Sequence, residues 1–229
     1  MKTFALDREP EALIFDLDNT LYTNPAYASF QEEILVERLG RELGFGKEGA
    51  RARIAGLRAE RAKAGLGPTS LGTMFKALGI DIATSVRWRE EDIEPADWLA
   101  PDVRLERALG RLAAVYKLAL MTNNPRRVGE KSLEALGVRS AFSVLVGLDD
   151  TMSSKPSIEP FVETARRLGL GVRSCASIGD RYDVDLAPAI ALGMGAIHVE
   201  GVEEVYGLPD FFAATWGRDE LGSPGLGRS

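Results

Sequence analysis

One cysteine and one histidine are all that the 229 residues hold of the side chains that most often do nucleophilic, redox or proton-relay work near neutral pH. A single thiol forms no intrachain disulfide, which fits a reducing compartment. Cys175 lies within the apolar "CASIG" and reads as a small buried hydrophobe. His198, in "GAIHV", has no nucleophile motif beside it and reads as structural, which leaves a Ser-His-Asp or Cys-His mechanism without support. No apolar run approaches the ~20 residues of a membrane-spanning helix. The opening "MKTFALDREP" meets acid and proline too early for a signal peptide, so a cytoplasmic protein with no membrane partner is expected. Basic residues never gather without balancing acid. The densest stretch, "RARIAGLRAERAK", carries Glu60 and reads as a solvated helix face, so no nucleic-acid partner is expected. "GLGPTSLG" has glycines but neither the lysine nor the spacing of a phosphate-binding P-loop.

What is present is ample material for a core. Hydrophobic residues make up 45% and charged residues 27%, with a net charge of -6, a balance that rules out a disordered chain and suits one domain with a large insertion or two small ones. Five short apolar runs stand out: "ALIFD" (12–16), "KLALMT" (117–122), "FSVLVG" (142–147), "CASIG" (175–179) and "GAIHV" (195–199). They are continuous rather than alternating, as parallel strands covered on both faces are. Helical patterns follow the later ones at 125–136, 157–168 and 183–192, the last closed by Gly193. Strands alternating with helices predict an α/β fold with a Rossmann-like, doubly wound parallel sheet.

The alternation breaks once. Helical patterns at 27–43, 47–64 and 71–78 read as a mainly α-helical insertion, with Pro25 and "EPADWLAP" as its hinges. The expected organisation is a core from 1–21 and 101–215, a helical cap from 22–100, and a flexible tail from 216–229, whose last residues are "RDELGSPGLGRS". Trp88, Trp98 and Trp216 read as packing residues.

In an open parallel sheet, ligands bind outside the carboxyl ends of the strands. The polar residues collect there. The first strand ends at Asp16-Leu17-Asp18-Asn19-Thr20, the second at Thr122-Asn123-Asn124, and the loop after the third holds Ser153-Ser154-Lys155-Pro156. The fourth ends at Gly179-Asp180, with Asp183 and Asp185 following. Each piece alone has a plain reading: an acidic turn, a helix cap supplied by Asn123 or Asn124, a solvated lysine. Their joint arrival at one edge points to a site.

In order and context, D-x-D-N-T, a threonine after the second strand, a lysine before proline, and G-D-x-x-x-x-D resemble the four motifs of the haloacid dehalogenase superfamily, over residues 12–199. More loosely, "DLDNTLY" and "LAPDVRL" are similar to its pyrimidine 5′-nucleotidase-like branch. The resemblance implies a phosphatase that uses Mg²⁺ and acts on a small phosphate ester. Asp16 would be the nucleophile, and Asp18 the acid that protonates the leaving group and later activates water. Thr122 and Lys155 would hold the phosphoryl group, with Asn123 and Thr20 as helpers. Asn19 and Thr20 would shape the loop and support Asp18. The metal would take the Asp16 and Asp180 carboxylates and the Asp18 carbonyl, with Asp185 acting directly or through water. Asp183 is either a more distant contributor or a helix cap.

The substrate would be a nucleoside monophosphate, phosphoglycolate or a sugar phosphate, and the chain a monomer or homodimer. A phosphomutase shares Asp16 and Asp18 and is the nearest rival. A haloacid dehalogenase proper needs no acid at Asp18. A phospho-receiver, from a non-enzymatic class, would hold its phosphoryl group rather than turn over.

Overall fold

Residues 1–66, 70–218 and 221 are described in the computed structural model. Among them, six strands form one sheet: β1 (Lys2–Phe4), β2 (Ala12–Phe15), β3 (Lys117–Met121), β4 (Val144–Val146), β5 (Cys175–Gly179) and β6 (Gly195–His198). Their order is β1-β6-β5-β2-β3-β4, parallel throughout except for β1, which runs antiparallel to β6. The central strand β2 thus has β3 on one side and β5 on the other, and its carboxyl end lies between theirs.

The continuous apolar run of β2 follows from its two covered faces, since successive side chains point to opposite sides. Leu13 and Phe15 enter one cluster, formed with α5 (Val103–Ala113), α6 (Arg126–Ala135), α10 (Val202–Tyr206) and α11 (Leu208–Trp216). Ala12 and Ile14 enter the other, with α8 (Glu159–Leu168) and α9 (Ala187–Ala191). Burial of each large side chain contributes roughly 1.5–3 kcal/mol, so exposing Leu13, Ile14 or Phe15 would cost about that much each.

Between β2 and α5 lie α1 (Pro25–Glu42), α2 (Gly46–Lys63), α3 (Leu71–Ala77) and α4 (Ile82–Asp92). They build a third cluster of their own, with Leu35 and Leu39 from α1 against Ile54, Phe75 and Trp88. Tyr27, near the start of α1, belongs instead to the sheet's cluster and stacks on Trp98, so α1 joins the two bodies. A short α7 (Leu148–Thr151) follows β4.

The five expected strands form where the apolar runs lie. The edge strand β1 was not expected: three residues carry no periodicity, and only pairing of Lys2 with His198 and Phe4 with Ala196 fixes them. The helix expected over 183–192 is split. A π-helical turn spans Tyr182–Leu186, and α9 begins only at Ala187. Pro188 has no N–H to give to Val184, so the ordinary hydrogen-bond ladder cannot run through this point. Gly193 closes α9 at φ +79°, a left-handed conformation that suits glycine. Trp216 of the expected tail ends α11, whereas 219, 220 and 222–229 lie outside the described residues. Among the described residues, no helix is long and apolar enough to cross a membrane.

Candidate active site

Beyond β2 the chain turns at once. Asp16 N–H donates to Ile178 O (2.8 Å), still in sheet register, and then Thr20 and Leu21 N–H both return to Leu17 O (3.2 and 2.9 Å). Asn19 takes the left-handed conformation the turn needs (φ +57°), which asparagine tolerates better than most residues. This tight turn brings Asp16 and Asp18 to the carboxyl edge but gives their side chains different partners.

Asp16 meets Lys155. The ammonium is 1% exposed, with Nζ 2.5 Å from Asp16 Oδ1 and 2.6 Å from Asp185 Oδ1. Asn123 fixes the loop that delivers it: Lys155 N–H donates to Asn123 Oδ1 (2.7 Å), and Asn123 Nδ2 donates to Lys155 O (3.1 Å). Asp185 reaches the cluster because β5 ends in glycine. A Cβ on Gly179 would stand 2.5 Å from Asp185 Cβ, an approach no other residue permits. Ser177 Oγ donates to Asp185 O (2.9 Å), and Arg181 N–H to Asp185 Oδ2 (3.1 Å).

Asp180 completes the group. Asn19 Nδ2 donates to its Oδ2 (2.9 Å), so Asn19 supports Asp180 rather than the expected Asp18. His198 Nε2 lies 2.8 Å from Asp180 O; a carbonyl only accepts, so Nε2 carries the proton and the lone histidine braces this loop. One oxygen each from Asp16, Asp180 and Asp185 falls within 4.8 Å of the others.

Three carboxylates around one ammonium leave this cluster short of positive charge. Burial by itself would weaken Lys155 as a base, but Asp16 and Asp185 reverse that and hold its pKa above the ordinary value. Asp16 is pushed up to about 8, first by burial and then by the Asp185 and Asp18 charges, against the pull of Lys155. Burial also raises Asp180, opposed by the Asn19 hydrogen bond. An all-oxygen donor set with excess negative charge fits a hard divalent cation such as Mg²⁺. Asp185 is the least free of the three, because Lys155 and Arg181 N–H already occupy its two oxygens.

Asp18 is oriented from the other side. Tyr22 OH and Gln31 Nε2 (2.9 Å) donate to Oδ1, and Asn124 Nδ2 (3.0 Å) donates to Oδ2. Burial and the Asp18 charge raise the Tyr22 pKa, which keeps its hydroxyl a donor. Thr122, at the end of β3, spends its own N–H on Val146 O (3.0 Å), and its Oγ1 accepts from Asn124 N–H (3.1 Å). Its hydroxyl proton remains to donate.

Several expectations change here. Neither Asn123 nor Asn124 caps α6. Asp149 does so from another element, accepting from Arg126 N–H (2.6 Å), and both asparagines serve the site. Thr20 is fully buried, its hydroxyl has no partner among the described residues, and it does not line the cavity beside Asp18. Asp183 is exposed and caps nothing. Sequence reasoning missed Tyr22 and Gln31. Tyr22 stands inside "DLDNTLY", four residues past Asp18, whereas Gln31 is a lone amide on α1 with no signal of its own.

Residues 10–193 match the haloacid dehalogenase-like hydrolase family. The chain belongs to that family. Among curated relatives, this haloacid dehalogenase-like hydrolase is 37% identical over 112 residues to a phosphoglycolate phosphatase of Chromobacterium violaceum, covering 48% of this chain and 47% of the relative. It is 32% identical over 124 residues to that of Escherichia coli, covering 51% and 48%. The chain thus spans about half the length of these relatives. Among solved structures, it resembles a haloacid dehalogenase-family phosphatase of Thermococcus onnurineus, with 26% identity and a TM-score of 0.56 over 82% of this chain and 86% of that one. The two curated relatives are phosphoglycolate phosphatases, and the looser nucleotidase-like resemblance has no counterpart in them.

Proposed function

We propose that this hydrolase is a Mg²⁺-dependent phosphatase that removes the phosphoryl group of a small phosphorylated metabolite through a phospho-Asp16 intermediate. The observation that carries the reading is the pairing of buried Lys155 with Asp16 and Asp185 beside Asp180, while Asp18 is held apart by its own three donors. That division separates the group that attacks from the group that moves protons.

An Asp16 carboxylate oxygen attacks phosphorus, and the bond to the leaving oxygen breaks. Lys155 and the Thr122 hydroxyl hold the non-bridging oxygens, since charge and positioning supply most of the catalysis in phosphoryl transfer. Asp18 gives its proton to the leaving oxygen. It then takes a proton from the water that hydrolyses the acyl phosphate and frees Asp16. Bound Mg²⁺ would neutralise charge between carboxylates and phosphate, held by Asp16, Asp180 and the Asp18 carbonyl, with Asp185 positioning Lys155 or meeting the metal through water.

The curated relatives favour phosphoglycolate-like substrates over the nucleoside 5′-monophosphate suggested by "DLDNTLY". Sugar phosphates and a mutase reaction are the remaining alternatives. The test is hydrolysis of an aryl phosphate with Mg²⁺, abolished by EDTA and reduced about 10⁴-fold or more in Asp16→Asn. Activity that survives in clean Asp16→Asn protein removes the nucleophile assignment. Release of inorganic phosphate from a panel of phosphorylated metabolites separates phosphatase from mutase and ranks the substrates.

A further inference from the structure

Arg89, on α4, is 6% exposed, yet no carboxylate pairs with it among the described residues. Its Nη1 donates to Ser85 O (3.1 Å) and to Ser85 Oγ, both on its own helix. Nε and Nη2 have no hydrogen-bond partner among the described residues. Arg89 also lines a cavity of about 390 Å³ whose wall includes Asp18, Asn123 and Asn124. The other cap-side arginine there, Arg58, is already paired with Glu32 (3.1 Å) and half-exposed.

A buried cation without a counter-charge is destabilising, and the Phe75 ring, 6.0 Å from the guanidinium carbon, and the two Ser85 contacts offset only part of the desolvation. Burial lowers the Arg89 pKa to about 10, with the Asp18 charge opposing, so the side chain still enters neutral solution as a cation. The free edge is the one formed by Nε and Nη2. Two parallel N–H groups there match the two oxygens of one carboxylate.

We infer that Arg89 is a substrate-selecting residue that binds a carboxylate on the alkyl end of the phosphate ester, so that the substrate is a small phosphorylated carboxylic acid. This rests on the phosphatase reading for which end of the ligand faces Asp16. Asp18 and Arg89 line the same cavity, so a short ester whose leaving oxygen meets Asp18 presents its other end to the wall that Arg89 shares.

The experiment is calorimetric binding of 2-phosphoglycolate and of ethyl phosphate, which lacks the carboxylate, to Asp16→Asn protein with Mg²⁺. Arg89→Met in that background is expected to weaken 2-phosphoglycolate about 100-fold, the cost of removing one member of a desolvated charge pair. Ethyl phosphate should change by no more than about threefold, since it offers the guanidinium no partner. Arg89→Lys keeps the charge without the fork and should cost 2-phosphoglycolate about tenfold, which also covers a methionine variant that fails to fold.

Equal losses for both ligands, no loss for either, or no binding of 2-phosphoglycolate to the arginine form would each overturn the inference. So would a short-chain bisphosphate that binds more tightly than 2-phosphoglycolate and depends more on Arg89. Because binding is read without turnover, a wild-type protein that hydrolyses nothing would sink the phosphatase reading alone.

Discussion

Asn123 shows how a residue with an ordinary local reading can serve a site. As a cap for α6 it would matter little to Lys155; in the structure its amide clasps the Lys155 backbone from both sides. Asn123→Ala should therefore lower kcat/KM for an aryl phosphate about 10–100-fold, the usual cost of losing a support behind a functional group. Its Mg²⁺-induced rise in melting temperature should persist, because Asn123 touches none of the three carboxylates; loss of both would mean that the loop itself had collapsed. Cys175 gives a second prediction at this scale. Burial pushes its thiol up to about 11, so it stays protonated at pH 8. Native protein should react with a thiol reagent at pH 8 only as fast as it unfolds, and rapid labelling in native buffer would place Cys175 outside the core. Asp16 and Asp180 were legible in the sequence because each directly follows a strand of one parallel sheet, and Lys155 and Asp185 because they stand in the connections that leave that same edge. Gln31 and Arg89 were not, because their position depends on how α1 and α4 lean over that edge, which helical periodicity does not specify.

At the scale of elements, the strands were the easiest to read and the connections the hardest. Burial on both faces makes β2, β3 and β5 continuous apolar runs, a pattern with few competitors at that length. β1 exists only through pairing with β6, and the break between Tyr182–Leu186 and α9 is set by one missing N–H at Pro188, so neither leaves a periodic trace. The entry to α1 is legible and testable. Asn24 Oδ1 accepts from Tyr27 N–H (3.0 Å), Pro25 takes the first helical position, and Asn24 Nδ2 donates to Trp98 O (3.0 Å). One side chain thus both starts the helix that carries Gln31 and ties it to the chain entering α5. Asn24→Ala should cost about 1–2 kcal/mol in urea unfolding. It should also lower activity through Gln31 and Asp18, whereas Asp102→Ala, which removes the cap of α5 that accepts from Arg104 and Leu105 N–H, should lower stability alone because α5 carries no residue of the site.

For the molecule as a whole, the decisive quantity is the uncompensated charge gathered at the centre of an already acidic chain of net charge -6. A folded protein that keeps one oxygen each of Asp16, Asp180 and Asp185 within 4.8 Å of the others sacrifices stability that a bound divalent cation would restore. Mg²⁺ at 100 times its dissociation constant should add about 2.7 kcal/mol to unfolding, visible as a higher melting temperature that EDTA reverses. Asp180→Asn should remove most of that shift while raising the melting temperature of metal-free protein, because one repelling charge is gone. The pH dependence follows in sign. With its folded-state value raised from 3.8 to about 8, Asp16 holds its proton more tightly in the folded than in the unfolded chain. Its contribution to metal-free stability is therefore fully present below the unfolded value and is lost as pH rises towards about 8. Mg²⁺ binds the ionised carboxylates, so its stabilising effect must grow over the same interval. Melting curves at pH 5 and pH 8 should show a small Mg²⁺ shift at the lower pH and a larger one at the higher. An equal shift at both would mean that the three carboxylates are not where the cation binds.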